Sequence, residues 1–331
     1  MTTAITTATT TATAVVGAGS IGVAWAIVFA RAGHPVALFD ISPERLEAAT
    51  AELKSTTAEL DRHGLLGEAP ASIVARVHVA ASLADAVREA DYVQECVAES
   101  LAVKQDLFAA LDRDAPPDAI LASSTSMIPC SQFAADLPGR ARCLVVHPGN
   151  PPYLLPVAEL VPAPFTSPAV VDTARNLLAD MGMTPIMLAR EIEGFVFNRL
   201  QGAVLREAYT LVQAGVVTPA DIDSVVRDGL GRRWSVLGPF STADLNTRGG
   251  LERHAQIMGP AYARMATEPA PWTSDLVHEV ATAIHTTLPP DQWTGNVRRR
   301  DQALMLLEAA RRTAPELFAP ARKPGSQASG T

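Results

Sequence analysis

The chain has 331 residues, 48% hydrophobic and 19% charged, with a formal net charge of −8. That length predicts two domains of ordinary globular composition, and the acidic balance excludes a nucleic-acid binder, which needs Lys and Arg against phosphate. Cys96, Cys130 and Cys143 have no CxxC spacing and no histidine cluster beside them, so no disulfide scaffold and no metal site is expected, and a reducing cytoplasm is the expected compartment.

Residues 1–11 are Thr- and Ala-rich and read as a frayed terminus. No charged side chain lies between Met1 and Arg31, but a signal peptide needs a positive first segment, which is lacking. A membrane helix over Ala12–Ala30 would carry Gly17, Gly19 and Gly22, each costing about 1 kcal/mol against Ala. A strand, a turn and a helix explain those glycines better. Strands are expected at Ala14–Val16, Pro35–Phe39, Tyr92–Val97, Ile120–Ser123, Cys143–His147, Val157–Val161 and Pro185–Leu188. The helical patterns between them start at Ser42-Pro43 and Ser167-Pro168, where a capping residue precedes Pro, and stop at Gly33 and Gly182. Such alternation predicts a mostly parallel sheet covered on both faces.

From Gly194 to about Gly215 the pattern is one long helix, and Thr218-Pro219-Ala220-Asp221 starts another. No strand is expected after it. Trp272, Trp293 and the stretch Ala303–Ala310 fit helical packing. The fold expected is an α/β Rossmann-type domain at 1–190, an all-α domain at 191–318, and a flexible tail at 319–331.

Gly17-Ala18-Gly19-Ser20-Ile21-Gly22 is a GxGxxG turn between a strand and a helix. The first glycine permits the tight turn, the second lets backbone approach a pyrophosphate, and the third lets helix pack on strand. The helix N-terminus, with Ser20 and Ile21, offers N–H groups to that pyrophosphate. Asp40 ends the next expected strand, where a carboxylate accepts hydrogen bonds from an adenosine ribose and repels a 2′-phosphate. The cofactor expected is therefore NAD rather than NADP.

Two polar residues interrupt apolar runs. His147 ends Cys143-Leu144-Val145-Val146, and Glu159 lies inside Val157-Ala158-Glu159-Leu160-Val161. A buried carboxylate needs a partner, and an imidazole whose tautomer it fixes would serve. Asn198 opens the long helix where the two expected domains join. A dehydrogenase needs a group that takes the hydroxyl proton as hydride leaves, and histidine suits that task. On the residues alone, a hydrogen-bonded core histidine and a solvent-facing edge glutamate stand as alternatives.

These residues match a family. From about Ala14 to Ala310 the chain resembles the 3-hydroxyacyl-CoA dehydrogenase superfamily, most closely its lambda-crystallin or L-gulonate 3-dehydrogenase branch. The resemblance rests on the glycine turn, Ala122-Ser123-Ser124-Thr125-Ser126, His147-Pro148-Gly149-Asn150-Pro151-Pro152-Tyr153, Ala158-Glu159-Leu160-Val161-Pro162, Gly194-Phe195-Val196-Phe197-Asn198-Arg199-Leu200 and Gly229-Leu230-Gly231-Arg232-Arg233-Trp234. It implies His147 as general acid/base, Glu159 as its orienting carboxylate, Ser126 as a hydroxyl-binding residue and Asn198 on the substrate oxygen, helping to hold Ser126. It also implies Asn150 beside the nicotinamide, and a homodimer formed by the helical domain. Gly149 departs from the branch, which carries a larger apolar residue there.

The superfamily divides between acyl-CoA thioesters and small free 3-hydroxy acids. Residues 41–80 hold four basic side chains (Arg45, Lys54, Arg62, Arg76) against six acidic ones, a poor attractor for the polyanionic CoA tail. The expectation is an NAD-dependent enzyme interconverting a small L-3-hydroxy acid, L-gulonate-like or aliphatic, and its 3-oxo acid. Arg233, with Arg232 competing, is the candidate for the substrate carboxylate. The alternatives are an L-3-hydroxyacyl-CoA dehydrogenase, an L-carnitine dehydrogenase with Trp234 as an aromatic wall for the quaternary ammonium, and a dinucleotide-binding crystallin-like structural protein.

Overall fold

Why the charge-free N-terminal stretch is not a membrane span is visible in its first two elements. Thr13–Val16 (β1) is a fully buried strand, the chain turns at Gly17, and Ser20–Arg31 (α1) is a helix buried almost all round. Among the described residues no helix is long and apolar enough to cross a membrane. The computed structural model describes residues 10–248, 250–265 and 289–314, with isolated positions between 273 and 286. Most of the expected frayed start, Trp272 and the expected tail at 319–331 lie outside the described residues. The chain divides into two units, Met1–Arg199 and Leu200–Thr331.

In the first unit, Val36–Phe39 (β2) is followed by Pro43–Arg62 (α2), whose start is fixed by Ser42 Oγ accepting from Arg45 N–H. The helix buries Ala49, Leu53, Thr57 and Leu60, one stripe at helical spacing. Then come Pro70–Ala75 (α3), Val77–Val79 (β3), Leu83–Val87 (α4), Tyr92–Glu95 (β4) and Leu101–Asp114 (α5). Ile120–Ser123 (β5), Cys130–Phe133 (α6), Cys143–Pro148 (β6), Val157–Pro162 (β7), Pro168–Asp180 (α7) and Thr184–Met187 (β8) complete it.

The eight strands form one sheet in the order β3-β2-β1-β4-β5-β6-β7-β8. Every pair is parallel except β6 with β7. The order reverses between β1 and β4, the kind of switch point whose crevice binds ligands at the carboxyl ends of the strands. Gly33 and Gly182 take positive φ of 93° and 80° directly after α1 and α7, as their stop role requires. Ser167 holds the cap position of α7 but makes no side-chain capping bond.

Strand β3 has no counterpart among the expected strands. It is short and half-exposed at the sheet edge, so it carries no apolar run. A second correction concerns the long helix, which begins at Phe197 rather than Gly194. Phe197–Gln213 (α8) is preceded by a turn with positive φ at Gly194 (73°) and at Phe195 (49°). Phe195 is fully buried, and packing holds it in a conformation that non-glycine residues rarely adopt.

In the second unit, α8 ends at Gln213 and, after a turn with positive φ at Gly215, Pro219–Val225 (α9) begins, where Thr218 Oγ1 accepts from Asp221 N–H. A π turn, Val226–Leu230, leads to Gly231–Trp234 (α10), Pro239–Asn246 (α11), Gly250–Met265 (α12) and Trp293–Thr313 (α13). The apolar stretch Ala303–Ala310 is helical as expected, but α13 buries only Met305, and Trp293 is exposed. Periodicity marks the helix there, and among the described residues its apolar face is left largely uncovered.

Candidate active site

The glycine turn is built for close backbone approach. Gly17 has φ 101°, and a Cβ on it would lie 2.6 Å from the Cys96 carbonyl oxygen. A Cβ on Gly22 would lie 1.9 Å from the Gly17 oxygen, whereas one on Gly19 meets nothing within 4 Å. The first and third glycines are thus required by packing, and the second leaves the turn open. Gly19 brings no capping side chain to α1, so the first-turn N–H groups, from Ser20 onward, face that opening as an anion site. Asp40 follows β2 and accepts from Ala18 N–H at 2.7 Å and from Ser42 N–H at 3.0 Å. The cradle and its carboxylate fit a dinucleotide.

His147 and Glu159 stand directly opposite each other in the antiparallel β6–β7 pair, which puts both side chains on one face. His147 Nδ1 lies 2.8 Å from Glu159 Oε2, and both residues are buried. The other carboxylate oxygen accepts from Val196 N–H (2.7 Å) and Phe197 N–H (3.0 Å) at the start of α8. Burial raises the Glu159 carboxyl, but the bonds from His147, Phe197 and Val196 outweigh it and hold the group below the ordinary glutamate value. The left-handed turn at 194–195 is what brings those two N–H groups to Glu159. A carboxylate at this distance accepts a hydrogen bond from Nδ1, which in a neutral imidazole leaves Nε2 to accept. The rings of Phe195 and Phe197 lie 5.5 and 6.2 Å from the imidazole.

Asn198 follows in α8, and its Nδ2 donates to the Ser126 carbonyl at 3.0 Å. Among the described residues the Ser126 hydroxyl makes no protein hydrogen bond. Asn150 is exposed in the β6–β7 loop, next to a cis peptide to Pro151. A Cβ on the neighbouring Gly149 would be 3.0 Å from Leu155 and from Val157, so small size there goes with a closely packed loop. Arg232 and Arg233 are exposed on α10 in the second unit.

A second polar cluster escaped the sequence reading. Glu95, at the end of β4, receives Lys104 Nζ at 2.9 Å on both oxygens and also Ser123 Oγ. Glu99 Oε1 accepts from the Thr125 hydroxyl and from the N–H groups of Ser126 (3.1 Å) and Met127 (3.0 Å). Burial raises Glu99, and the Thr125 hydroxyl, the Lys104 charge and the two N–H groups bring it below its ordinary value. This network fixes the loop that carries Ser126. Its signal was available, since Glu95 is a carboxylate inside the expected strand Tyr92–Val97, where a buried charge needs a partner. A cavity of about 630 Å³ beyond the Pro162 end of β7, lined in part by Thr166, Val171 and Arg190, shares no residue with these groups.

Residues 12–192 match the NAD-binding domain of 3-hydroxyacyl-CoA dehydrogenase, and residues 194–283 match its C-terminal domain. The chain belongs to the 3-hydroxyacyl-CoA dehydrogenase family. Its cofactor is NAD, and it is a dehydrogenase acting on a CH–OH group. A lambda-crystallin homolog from Bos taurus is 41% identical over 317 residues, covering 92% of this chain and 96% of that one. An L-carnitine dehydrogenase from Pseudomonas sp is 35% identical over 300 residues, 89% and 92% of the two chains. Among solved structures, that of 5-formyl-3-hydroxy-2-methylpyridine 4-carboxylic acid 5-dehydrogenase, an NAD+-dependent dismutase, superposes with a TM-score of 0.80 at 28% identity, covering 91% and 98%. This 3-hydroxyacyl-CoA dehydrogenase family member thus sits in the lambda-crystallin branch.

Proposed function

We propose that the enzyme interconverts a small L-3-hydroxy acid and its 3-oxo acid, with His147 as general acid/base. The observation that carries this reading is the buried His147–Glu159 pair, one imidazole nitrogen engaged by the carboxylate and the other left to accept. Held by the glycine turn and Asp40, NAD+ would supply the acceptor for the hydride on the carbinol carbon. Nε2 of His147 takes the hydroxyl proton in oxidation and returns it in reduction. Glu159 fixes the ring through Nδ1 and is itself fixed by two backbone N–H groups, so little reorganisation is required as charge develops on the imidazole. Ser126 and Asn198 are assigned to the substrate oxygen, with the Asn198–Ser126 bond setting their spacing. Gly17, Gly19, Ser20, Ile21 and Gly22 are assigned to the pyrophosphate, Asp40 to the ribose and Asn150 to the nicotinamide end.

Arg233 is proposed to bind the substrate carboxylate. The low basic content of residues 41–80 favours a free acid over a CoA thioester. The carnitine dehydrogenase relative and the exposed Trp234 beside Arg233 support L-carnitine as the second reading. The joint presence of His147, Glu159, Ser126 and Asn198 argues against a purely structural, crystallin-like role. NAD reduction against L-gulonate, L-carnitine, 3-hydroxybutyrate and its CoA thioester decides among these. Free-acid turnover is expected, thioester-only turnover overturns the substrate class, and NADH binding with no turnover of any member returns the structural role.

The expected domains, 1–190 for the cofactor and 191–318 for substrate and dimerisation, are kept in this proposal. Among the described residues the second unit buries only Thr242 and Met305, while Phe240, Leu245, Leu306 and Leu307 are 60–76% exposed. Monomers rarely leave so much apolar surface uncovered, which supports a second copy as its cover. Light scattering should give a dimer mass, and Leu245→Glu should shift it toward the monomer. A reducing cytoplasm is the compartment proposed, from the odd cysteine count without CxxC spacing.

A further inference from the structure

The sequence pattern singles out Asp40 as the reader of the ribose, but a second side chain reaches the same turn. Arg45, in the first turn of α2, donates from Nε (2.9 Å) and Nη2 (2.7 Å) to the Ala18 carbonyl. Asp40 accepts from the N–H of that same residue. Ala18 is therefore held at both of its backbone groups, by an anion on one side and a cation on the other. Ser42 ties the two arms together, since its N–H donates to Asp40 and its hydroxyl accepts from Arg45 N–H at 3.1 Å. Arg45 is half-exposed, and its remaining charged neighbour is Glu52 at 3.5 Å. Nη1 makes no protein hydrogen bond among the described residues.

We propose that Arg45 is a specificity-determining residue of the cofactor site. It locks the Gly17–Gly19 turn in the shape that takes NAD, and its guanidinium is the cation that a 2′-phosphate would meet once the Asp40 charge is removed. The inference rests on NAD as cofactor and extends it. A cofactor with a free 2′-hydroxyl needs an acceptor at Asp40, whereas a 2′-phosphate needs a bidentate cation in that neighbourhood. Both groups are present, five positions apart on one β2–α2 connection. The carboxylate dominates because the guanidinium is spent on the Ala18 carbonyl. Arg45 is thus a positioning residue in the present enzyme and a latent phosphate ligand in a variant that lacks the Asp40 charge.

The test is a double-mutant cycle on the full chain, with dissociation constants for NADH and NADPH measured by fluorescence titration. Arg45→Met should weaken NADH binding about tenfold, the loss expected for charge-assisted hydrogen bonds to the turn. Asp40→Asn keeps an acceptor for Ala18 but removes the charge, and should move the NADPH/NADH preference about 100-fold toward NADPH. In the Asp40→Asn/Arg45→Met double variant that move should fall below tenfold. Arg45→Lys, which preserves charge and loses the fork, should lie between wild type and Arg45→Met and guards against a variant that fails to fold. An Arg45→Met chain that binds NADH within twofold of wild type, or an Asp40→Asn shift of equal size with and without Arg45, overturns the proposal. Wild type that binds neither nucleotide overturns the cofactor reading itself.

Discussion

The two halves of the candidate site are encoded in different ways. The dinucleotide turn is a backbone device: Gly17 and Gly22 are defined by the side chain that neither can carry, and the groups assigned to the ligand are main-chain N–H donors. The β6–β7 half is a side-chain device, in which two polar residues are placed opposite each other in an otherwise apolar pair of strands. The first tolerates sequence change wherever a Cβ finds room. The second depends on two functional groups and on whatever holds them. Mutations should therefore act on binding in one half and on turnover in the other.

The largest expected effect tests that division at His147. His147→Gln should lower turnover by two or more decades while NADH still binds, because a general acid/base contributes about 10²- to 10⁴-fold. Near-normal turnover would make His147 a core residue and remove the distinction between the halves. At the backbone half, Gly17→Ala must place an L side chain at φ 101°, with its Cβ against the Cys96 carbonyl. Strain of this kind costs about 1–3 kcal/mol, so NADH affinity or melting temperature should fall well before any defect appears in the chemical step at saturating cofactor. A loss of turnover with unaltered NADH binding would contradict the comparison.

The two halves also differed in how far the sequence disclosed them. Glycine spacing with a following Asp was enough for the turn, because each glycine answers a local steric demand. His147 and Glu159 stood out as polar interruptions of apolar runs, but their pairing depends on β7 running antiparallel to β6, and strand direction leaves no mark in either run. The turn at Gly194–Phe195 was read as helix since Phe195, Val196 and Phe197 continue an apolar helical pattern. Two tertiary demands explain the break, the burial of Phe195 and the need of Glu159 for two N–H donors. Glu99 and Lys104 were missed because one lies in the loop before α5 and the other in its first turn, where charged residues are ordinary.

A pH titration of stability sharpens the side-chain half further. The Glu159 carboxyl is held below its ordinary value in the native state by bonds from His147, Phe197 and Val196. A lowered native value means stabilisation that is complete above the unfolded-chain value and is lost as pH falls through the native one. Glu159→Gln should thus be less stable than wild type by about 1–3 kcal/mol near neutral pH, with the gap closing below the ordinary glutamate range. Chemical denaturation at pH 7 and pH 3 measures it. A gap that does not change with pH would show that the carboxylate is not ionised in the folded enzyme.

The smallest expected effect belongs to Asn198, whose amide donates to the Ser126 carbonyl. The Ser126 loop is already held from the other side by Glu99, through the N–H groups of Ser126 and Met127. Loss of one neutral hydrogen bond is worth about 0.5–1.5 kcal/mol, so Asn198→Ala would cost about tenfold in kcat/KM at most if the amide only positioned the loop; with Asn198 assigned to the substrate oxygen, a larger loss is expected. A direct bond to the reacting oxygen would add a turnover defect that rises above that ceiling. Steady-state kinetics on the variant separates the two. A tenfold or smaller loss carried by KM assigns Asn198 to loop positioning, and a larger loss carried by kcat places it on the reacting oxygen. In either case the effect stays below that of His147→Gln, because no proton passes through the amide.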